Sequence, residues 1–172
     1  MRLATTLYRA LNPYWAYRPL SGEGASRLGG RFNARGRPAL YFATSVAGAI
    51  LETNQAGTLM PTTLVAVEAD LSPVFDATDA AALAAHGITP ATLALPDWAV
   101  VMGREGRAPT QDFAEAVIAA GHPAMIVPSY APGAGPEARN VVVWTWSDAA
   151  PTLLRVLDPA ARLSWPPAEP EG

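Results

Sequence analysis

Pro38-Ala39-Leu40-Tyr41-Phe42-Ala43 is followed at once by Thr44-Ser45 and then by residues 46–55, a run of small and apolar side chains that ends before Gly57. The first six residues make a short apolar run bounded by turn signals, the pattern of a buried strand. Thr44 or Ser45 offers a side-chain oxygen to the free N–H groups of a helix start, and a glycine past the end stops the helix. The stretch therefore predicts strand, short turn and helix. It places Tyr41 on the strand and Glu52 on the helix. By helical period Val46, Ala49, Ile50 and Thr53 face inward, leaving Gly48 and Glu52 to the side.

Working outward, residues 3–11 predict a strand closed by Asn12-Pro13. Residues 14–37 are rich in Gly, Arg and Ser, show neither helical nor strand period, and are too long for a mere connector. Downstream, residues 62–71 alternate as a strand, and Pro73 separates them from a short run at 74–76. Asp79 precedes an alanine helix at 80–85 that ends at Gly87, Thr89-Pro90 opens another short helix, and Asp97 caps one short turn through Trp98. Residues 110–120 form an amphipathic helix ending at Gly121. Residues 124–128 and 140–146 are β-rich runs expected to pair across a Gly- and Pro-rich loop, and 153–157 make a last strand. There is no internal repeat and no regular βαβ alternation, which favours an α+β fold on a mixed or antiparallel sheet with inserted helices.

The chain has 172 residues, the length of one domain with a true core, expected over residues 1–163, with a flexible Pro-rich tail at 164–172. Charged residues are only 16% of the chain, against roughly 25% in an average soluble domain, which suggests a surface covered by a partner. An alanine-rich coding bias would give the same composition. The net charge is −3 and no basic run occurs, so counterion release has no evident source and direct nucleic-acid binding is not expected. All twelve basic residues are arginine, which excludes lysine Schiff-base chemistry and a Walker lysine. The absence of cysteine excludes disulfides, thiolate nucleophiles and Cys-based metal sites. No apolar run reaches the roughly 18 residues of a membrane span, and the start lacks a cleavage-site pattern, so a cytoplasmic protein with no membrane role is expected.

Gly29-Gly30-Arg31-Phe32-Asn33 puts a guanidinium beside glycines in a long loop, where backbone can approach a phosphate and the arginine can fork onto it. Glycine-flanked arginines are also common in ordinary loops. Glu52 reads plainly as a solvated glutamate, but the strand and helix of its motif could bring Tyr41 and the Arg31 loop into its neighbourhood. Ser129 and Asn140 flank the predicted β-loop-β unit and are either turn residues or hydrogen-bond donors at one end of a sheet. His86 and His122 lie next to helix-ending glycines and read as caps, not as members of a Ser-His-Asp set. The pairs Asp76/Asp79 and Asp112/Glu115 are explained by helix-start charge, and no metal site is expected.

Taken together, Leu7-Tyr8-Arg9, Gly30-Arg31-Phe32-Asn33 with Gly36, Leu40-Tyr41-Phe42-Ala43, Ala49-Ile50-Leu51-Glu52, Pro128-Ser129 and Asn140-Val141-Val142 resemble the RES domain family. The name refers to arginine, glutamate and serine positions, best matched here by Arg31, Glu52 and Ser129. The resemblance implies an ADP-ribosyltransferase-like fold with a split, strongly bent sheet. It also implies a toxin of a RES-Xre toxin-antitoxin pair that takes NAD+ as co-substrate and cleaves its nicotinamide-ribose bond. The partners it implies are an Xre-type antitoxin, itself DNA-binding, and an acceptor of ADP-ribose, which is a host protein, water or phosphate; the expectation here is transfer to a host protein, with NAD+ depletion as the alternative. A non-catalytic nucleotide-binding module is a third possibility. Within that role Glu52 faces the oxocarbenium ion, Tyr41 stacks on nicotinamide, and Arg31, backed by Arg9, Gly30 and Asn33, holds the diphosphate, while Ser129 and Asn140 orient the ribose or amide. Ile50 stands two residues before Glu52, where arginine-modifying transferases carry a second acid.

Overall fold

The computed structural model describes residues 1–53 and 60–163. Seven strands among them form one mixed sheet: β1 (Leu3–Leu11), β2 (Leu40–Ala43), β3 (Thr63–Leu71), β4 (Val74–Asp76), β5 (Ala124–Pro128), β6 (Arg139–Val143) and β7 (Thr152–Val156). Their order across the sheet is β4-β5-β6-β2-β1-β3-β7, and every pairing is antiparallel except β4 with β5. The expected α+β architecture is therefore present, including the pairing of β5 with β6, in which Val127 lies opposite Asn140.

One junction differs from the rest. β1 and β3 pair along nine positions from Leu3↔Leu71 to Leu11↔Thr63, whereas β1 and β2 share the single register pair Tyr8↔Ala43. The sheet separates there into two wings, β4-β5-β6-β2 and β1-β3-β7, joined at a narrow seam. Alternation along the strands feeds both faces of the first wing. Met125, Val127, Val142 and Trp144 pack with Phe32, Phe75, Leu83, Phe113 and Val117 on one side. Ala124, Val141 and Val143 join Leu7, Leu40, Phe42, Val67, Leu71 and Leu154 on the other.

The helices are α1 (Glu23–Leu28), α2 (Val46–Thr53), α3 (Ala80–Ala85), α4 (Pro90–Leu93), α5 (Trp98–Glu105) and α6 (Pro109–Ala119), with a 3-10 turn at Pro13–Trp15. Two sequence expectations change. The stretch 14–37 contains that turn and α1, which is stopped by Gly29 at a φ of 77°. The short turn at Trp98 is an eight-residue helix, and Gly106 ends it in the left-handed region. His122 closes α6 through its backbone, its N–H donating to the Val117 carbonyl at 3.3 Å past the left-handed Gly121, while its Nδ1 lies 3.0 Å from the Pro73 carbonyl and its ring meets Phe75 edge-on. His86 caps α3. The expected α2 terminus at Gln55–Gly57 and the tail at 164–172 lie outside the described residues.

α2 also presents a different face from the one its period suggested. Gly48 and Ala49 are buried, while Val46 and Ile50 are each 42% exposed. The cause is Gly48: a Cβ there would stand 3.2 Å from Cβ of Ala43 and 3.1 Å from the Ser45 hydroxyl, so a bare backbone lets the helix sit directly on β2. The helix is thereby turned so that Ala49, Glu52 and Thr53 line the seam of the sheet.

Gln111, fully buried on α6, fastens the Gly30–Asn33 loop to the helical layer. Its Nε2 donates to the carbonyls of Gly30 (2.8 Å) and Asn33 (3.1 Å), and its Oε1 accepts the Ala108 N–H at 3.0 Å. Gln111→Ala removes the acceptor of the Ala108 N–H, a buried orphan that costs about 1–3 kcal/mol, and takes one donor from each loop carbonyl, which keeps only the backbone bond between Gly30 and Asn33. The expected loss of folding stability is about 3 kcal/mol, measured by urea denaturation. A change below about 0.5 kcal/mol would show that the loop is held by other means.

Candidate active site

A cavity of about 400 Å³ opens at the seam between the wings. β1 supplies Tyr8, Arg9 and Ala10 to its wall, and β2 supplies Tyr41, Phe42 and Ala43. α2 gives Glu52, the Gly30–Phe32 loop gives Arg31, and β6 gives Asn140. Residues far apart in the chain thus converge because the two wings splay after Tyr8↔Ala43.

Glu52 is held from two directions. Ser129 Oγ donates to its Oε1 at 2.8 Å and Asn140 Nδ2 donates to the same oxygen at 2.6 Å. These are charge-assisted bonds to a carboxylate, so they fix the side chain more firmly than neutral contacts would. The carboxylate also fixes the Asn140 amide, since the reversed amide would bring two oxygens together at that distance. Asn140 Oδ1 is left buried without a partner among the described residues. A buried acceptor with no donor is costly, and its position beside Glu52 suits a ligand that brings an N–H or O–H.

Arg31 and Arg9 are held differently. Nη1 of Arg31 donates to the carbonyls of Leu93 (3.0 Å) and Leu95 (2.7 Å). Its guanidinium carbon lies 4.7 Å from the Tyr130 ring centroid and 5.9 Å from that of Trp98. Nη1 of Arg9 donates to the carbonyls of Pro19 (2.7 Å) and, more weakly, Ser21 (3.5 Å). Burial pushes Arg9 down to about 10 and also lowers Arg31, against the opposing pull of Tyr130, Glu52 and Tyr41. Both remain cations at neutral pH. Among the described residues neither arginine forms an ion pair, although eight other arginines do. Two partly desolvated cations whose hydrogen bonds go to neutral carbonyls make a cavity suited to an anion.

Tyr41 lines the cavity, but its hydroxyl is committed. It donates to Asn33 Oδ1 at 2.6 Å and accepts the Phe32 N–H at 3.1 Å. Burial of the phenol raises its pKa above the ordinary tyrosine value. Gly30 is required here, because a Cβ would fall 2.5 Å from both the Tyr41 hydroxyl and Asn33 Oδ1. The close approach that glycine permits is thus to Tyr41 and Asn33.

The site residues read from the sequence divide accordingly. Arg9, Gly30, Arg31, Tyr41, Glu52 and Asn140 line one cavity. Ser129 reaches it through Glu52. Asn33 is buried behind the wall, its amide nitrogen donating to the carbonyls of Ala25, Ala34 and Arg37. It holds the loop in shape and offers no polar atom to the cavity, so its expected place as a ligand contact becomes a supporting one. Trp98 and Tyr130, which also line the cavity, were not singled out in the sequence. Their one signal was an aromatic beside a loop or helix end, which is too common to be informative. Among the described residues no three His, Asp or Glu side chains gather as metal ligands would. No described helix is long and apolar enough to cross a membrane.

Comparison with known proteins agrees with this arrangement. No curated protein sequence matches the chain. Among solved structures it is similar to a chain in the crystal structure of the M. tuberculosis MbcT-MbcA toxin-antitoxin complex, with 25% sequence identity and a TM-score of 0.66. The match covers 92% of this chain and 84% of that one, and the shared architecture is the ADP-ribosyltransferase-like fold expected from the sequence. The family model for the RES domain matches residues 6–166. With nearly the whole chain matched and the arginine, glutamate and serine positions drawn to one cavity, the chain belongs to the RES domain family.

Proposed function

We propose that this protein is the toxin of a toxin-antitoxin pair, that it acts in the cytoplasm, and that it breaks the nicotinamide-ribose bond of NAD+ and passes ADP-ribose to a protein acceptor. The observation that carries the reading is a cavity holding one braced carboxylate, Glu52, together with two desolvated guanidinium groups, Arg9 and Arg31, that have no anionic partner among the described residues. NAD+ matches both halves of that charge pattern. Its diphosphate supplies the anion for the arginines, and its ribose develops positive charge opposite the carboxylate as nicotinamide leaves.

Bond cleavage transfers the electron pair of the C–N bond to nicotinamide, which leaves neutral, and generates an oxocarbenium ion on the ribose. Glu52 lowers that barrier because its attraction to the ribose grows as the charge develops. Ser129 and Asn140 keep the carboxylate in place, so little reorganisation is needed during the reaction. Asn140 Oδ1 takes a hydroxyl of the ribose or the amide N–H of nicotinamide. The neutral face of Tyr41 lies against the leaving ring, and an acceptor then adds to the ribose carbon and releases one proton. The partner is an Xre-type antitoxin, in line with the similar chain having been crystallised in a toxin-antitoxin complex and with the few charges on this chain.

One feature favours a second reading, destruction of NAD+ by water or phosphate. Ile50, two positions before Glu52, is exposed and apolar, so no acid stands there to activate an arginine side chain as acceptor. Incubation of the purified protein with NAD+ and host extract, followed by nicotinamide release and intact-mass analysis, separates the two. Release with an ADP-ribosyl unit gained by an extract protein is the expected result. Release with no labelled protein assigns the chain to NAD+ degradation.

Two further outcomes follow from the geometry. Glu52→Gln keeps the shape and the Ser129 contact but loses the charge. It should reduce nicotinamide release by at least about 100-fold while NAD+ affinity changes by less than about fivefold, as read by stopped assays and calorimetry. Retained turnover would remove Glu52 from the chemistry. Tyr41 and Tyr130 concern pH. Burial raises both phenols, Tyr130 to about 12 and Tyr41 further, so both are neutral through the ordinary tyrosine value of 10.0. Because these folded-state values lie above the unfolded one, folding stability should be intact below pH 10 and fall as pH rises toward 12. Equilibrium unfolding across that range, compared with Tyr41→Phe, tests this; a basic limb in kcat/KM well below pH 10 that disappears in Tyr41→Phe would show an ionised Tyr41 instead.

A further inference from the structure

Nη1 of Arg31 carries two hydrogens, and the carbonyls of Leu93 and Leu95 take both. Nε and Nη2 make no hydrogen bond among the described residues. Those two nitrogens form the side of a guanidinium that forks onto two oxygens of a phosphate or carboxylate. Two bonds on one nitrogen anchor a single corner of the planar group, and the opposite edge, which carries the fork, is held firmly only where something packs against its face. Tyr130 meets that requirement. Its ring centroid is 4.7 Å from the guanidinium carbon, against 5.9 Å for Trp98. The Tyr130 ring is itself seated on Phe32, 6.3 Å away and tilted by 42°, and packs against the buried cluster around Phe113 and Val127.

Tyr130 follows Ser129, whose hydroxyl holds Glu52, and the Ala131 N–H returns to that hydroxyl at 3.3 Å. Two consecutive residues at the end of β5 therefore brace the two charged groups of the cavity, one each. We infer that Tyr130 is a positioning residue that aims the Arg31 fork at the diphosphate, so that it sets selectivity for a dinucleotide over a nucleoside bearing the same scissile bond. The inference rests on the NAD+ reading above and adds to it the division of labour between neighbours: Ser129 serves the ribose end and Tyr130 the diphosphate end.

The test compares NAD+ with nicotinamide riboside, which has the same nicotinamide-ribose bond and no diphosphate. Nicotinamide release by the full chain is followed for wild type, Tyr130→Phe and Tyr130→Ala. Tyr130→Ala should raise KM for NAD+ about tenfold, change kcat by less than about twofold, and leave kcat/KM for the riboside unaltered. Tyr130→Phe keeps the ring and should restore the wild-type KM. Equal losses on both substrates, or a phenylalanine variant as impaired as the alanine one, overturn the assignment. Should Tyr130→Ala melt early, Tyr130→Leu fills the space without a π face and is expected to show the same KM effect. Calorimetry with ADP-ribose separates this inference from the proposed reaction. If wild type releases no nicotinamide yet binds ADP-ribose about tenfold more tightly than Tyr130→Ala, the reaction fails and the role of Tyr130 stands. If wild type does not bind ADP-ribose, the role of Tyr130 fails as well.

Discussion

A loop that runs through the interior of a protein must find partners for its own backbone, and in this molecule that requirement organises the site. The Gly30–Asn33 segment runs from the cavity wall into the interior, where Phe32 and Asn33 are buried and their backbone must be served by the protein itself. Asn33 takes three carbonyls with one amide nitrogen, Gln111 takes two more, Trp144 Nε1 donates to the Phe32 carbonyl, and the Tyr41 hydroxyl receives the Phe32 N–H. None of these bonds is chemistry on a ligand. Together they fix the backbone of Arg31, which is the residue that faces the cavity, and they do so from α6, β2 and the end of β6 at once. The position of the guanidinium thus depends on the whole fold and not on the local loop.

The electrostatics of the cavity follow from the seam in the sheet. Because β1 and β2 share only the Tyr8↔Ala43 pair, side chains from both wings and from α2 can enter the gap. Elsewhere on the molecule arginines meet carboxylates: Arg37 engages Glu115 through two bonds of 2.6 Å, and Arg2 and Arg155 do likewise with Asp70 and Glu68. Those pairs are largely exposed and stabilise the fold little. Arg9 and Arg31 are treated in the opposite way, partly desolvated and hydrogen-bonded to carbonyls, at a cost in folding free energy that an anionic ligand would offset on binding. Glu52 pulls on Arg31 through space, while its Oε1 is braced by Ser129 and Asn140. The contrast within one chain is the physical reason to read the cavity as built for a molecule that carries both negative charge and a site of developing positive charge.

Much of this was legible beforehand, and the reasons for the remainder are specific. The strand-turn-helix stretch around Tyr41 and Glu52 was readable because a buried strand, a capping serine and a helical run leave strong local signals. Which face of α2 turned inward was not, because hydrophobic period favours Val46 and Ile50, while the actual contact is set by the missing side chain of Gly48 against Ala43. Arg31, Glu52 and Ser129 stood out through family pattern more than through spacing. Asn33 was in the right place for another reason: an asparagine amide can satisfy backbone at short range, and a loop of this length needs it. Gln111, Trp98 and Tyr130 carried no signal, since a polar residue on an amphipathic helix and an aromatic at a loop end are ordinary until tertiary structure brings them roughly 70 to 100 positions back along the chain, to Arg31 and Gly30.

The same reasoning bears on why the acceptor is harder to read than the bond that breaks. Groups that stabilise charge on NAD+ must lie within the cavity and be braced, and bracing leaves short, directional contacts such as those onto Glu52. An acceptor meets the ribose from the open side, where a protein substrate would bring its own nucleophile and water or phosphate would need only room. α2 offers Thr53 to the cavity beside Glu52 and no second acid. On the proposed reading, preorganisation is concentrated on departure of nicotinamide, and selection of the acceptor would be left to surfaces that close over the cavity from outside. A covering antitoxin would act on that same opening, so inhibition and acceptor choice fall on one rim of the molecule while the chemistry is fixed deeper, at the seam of the sheet.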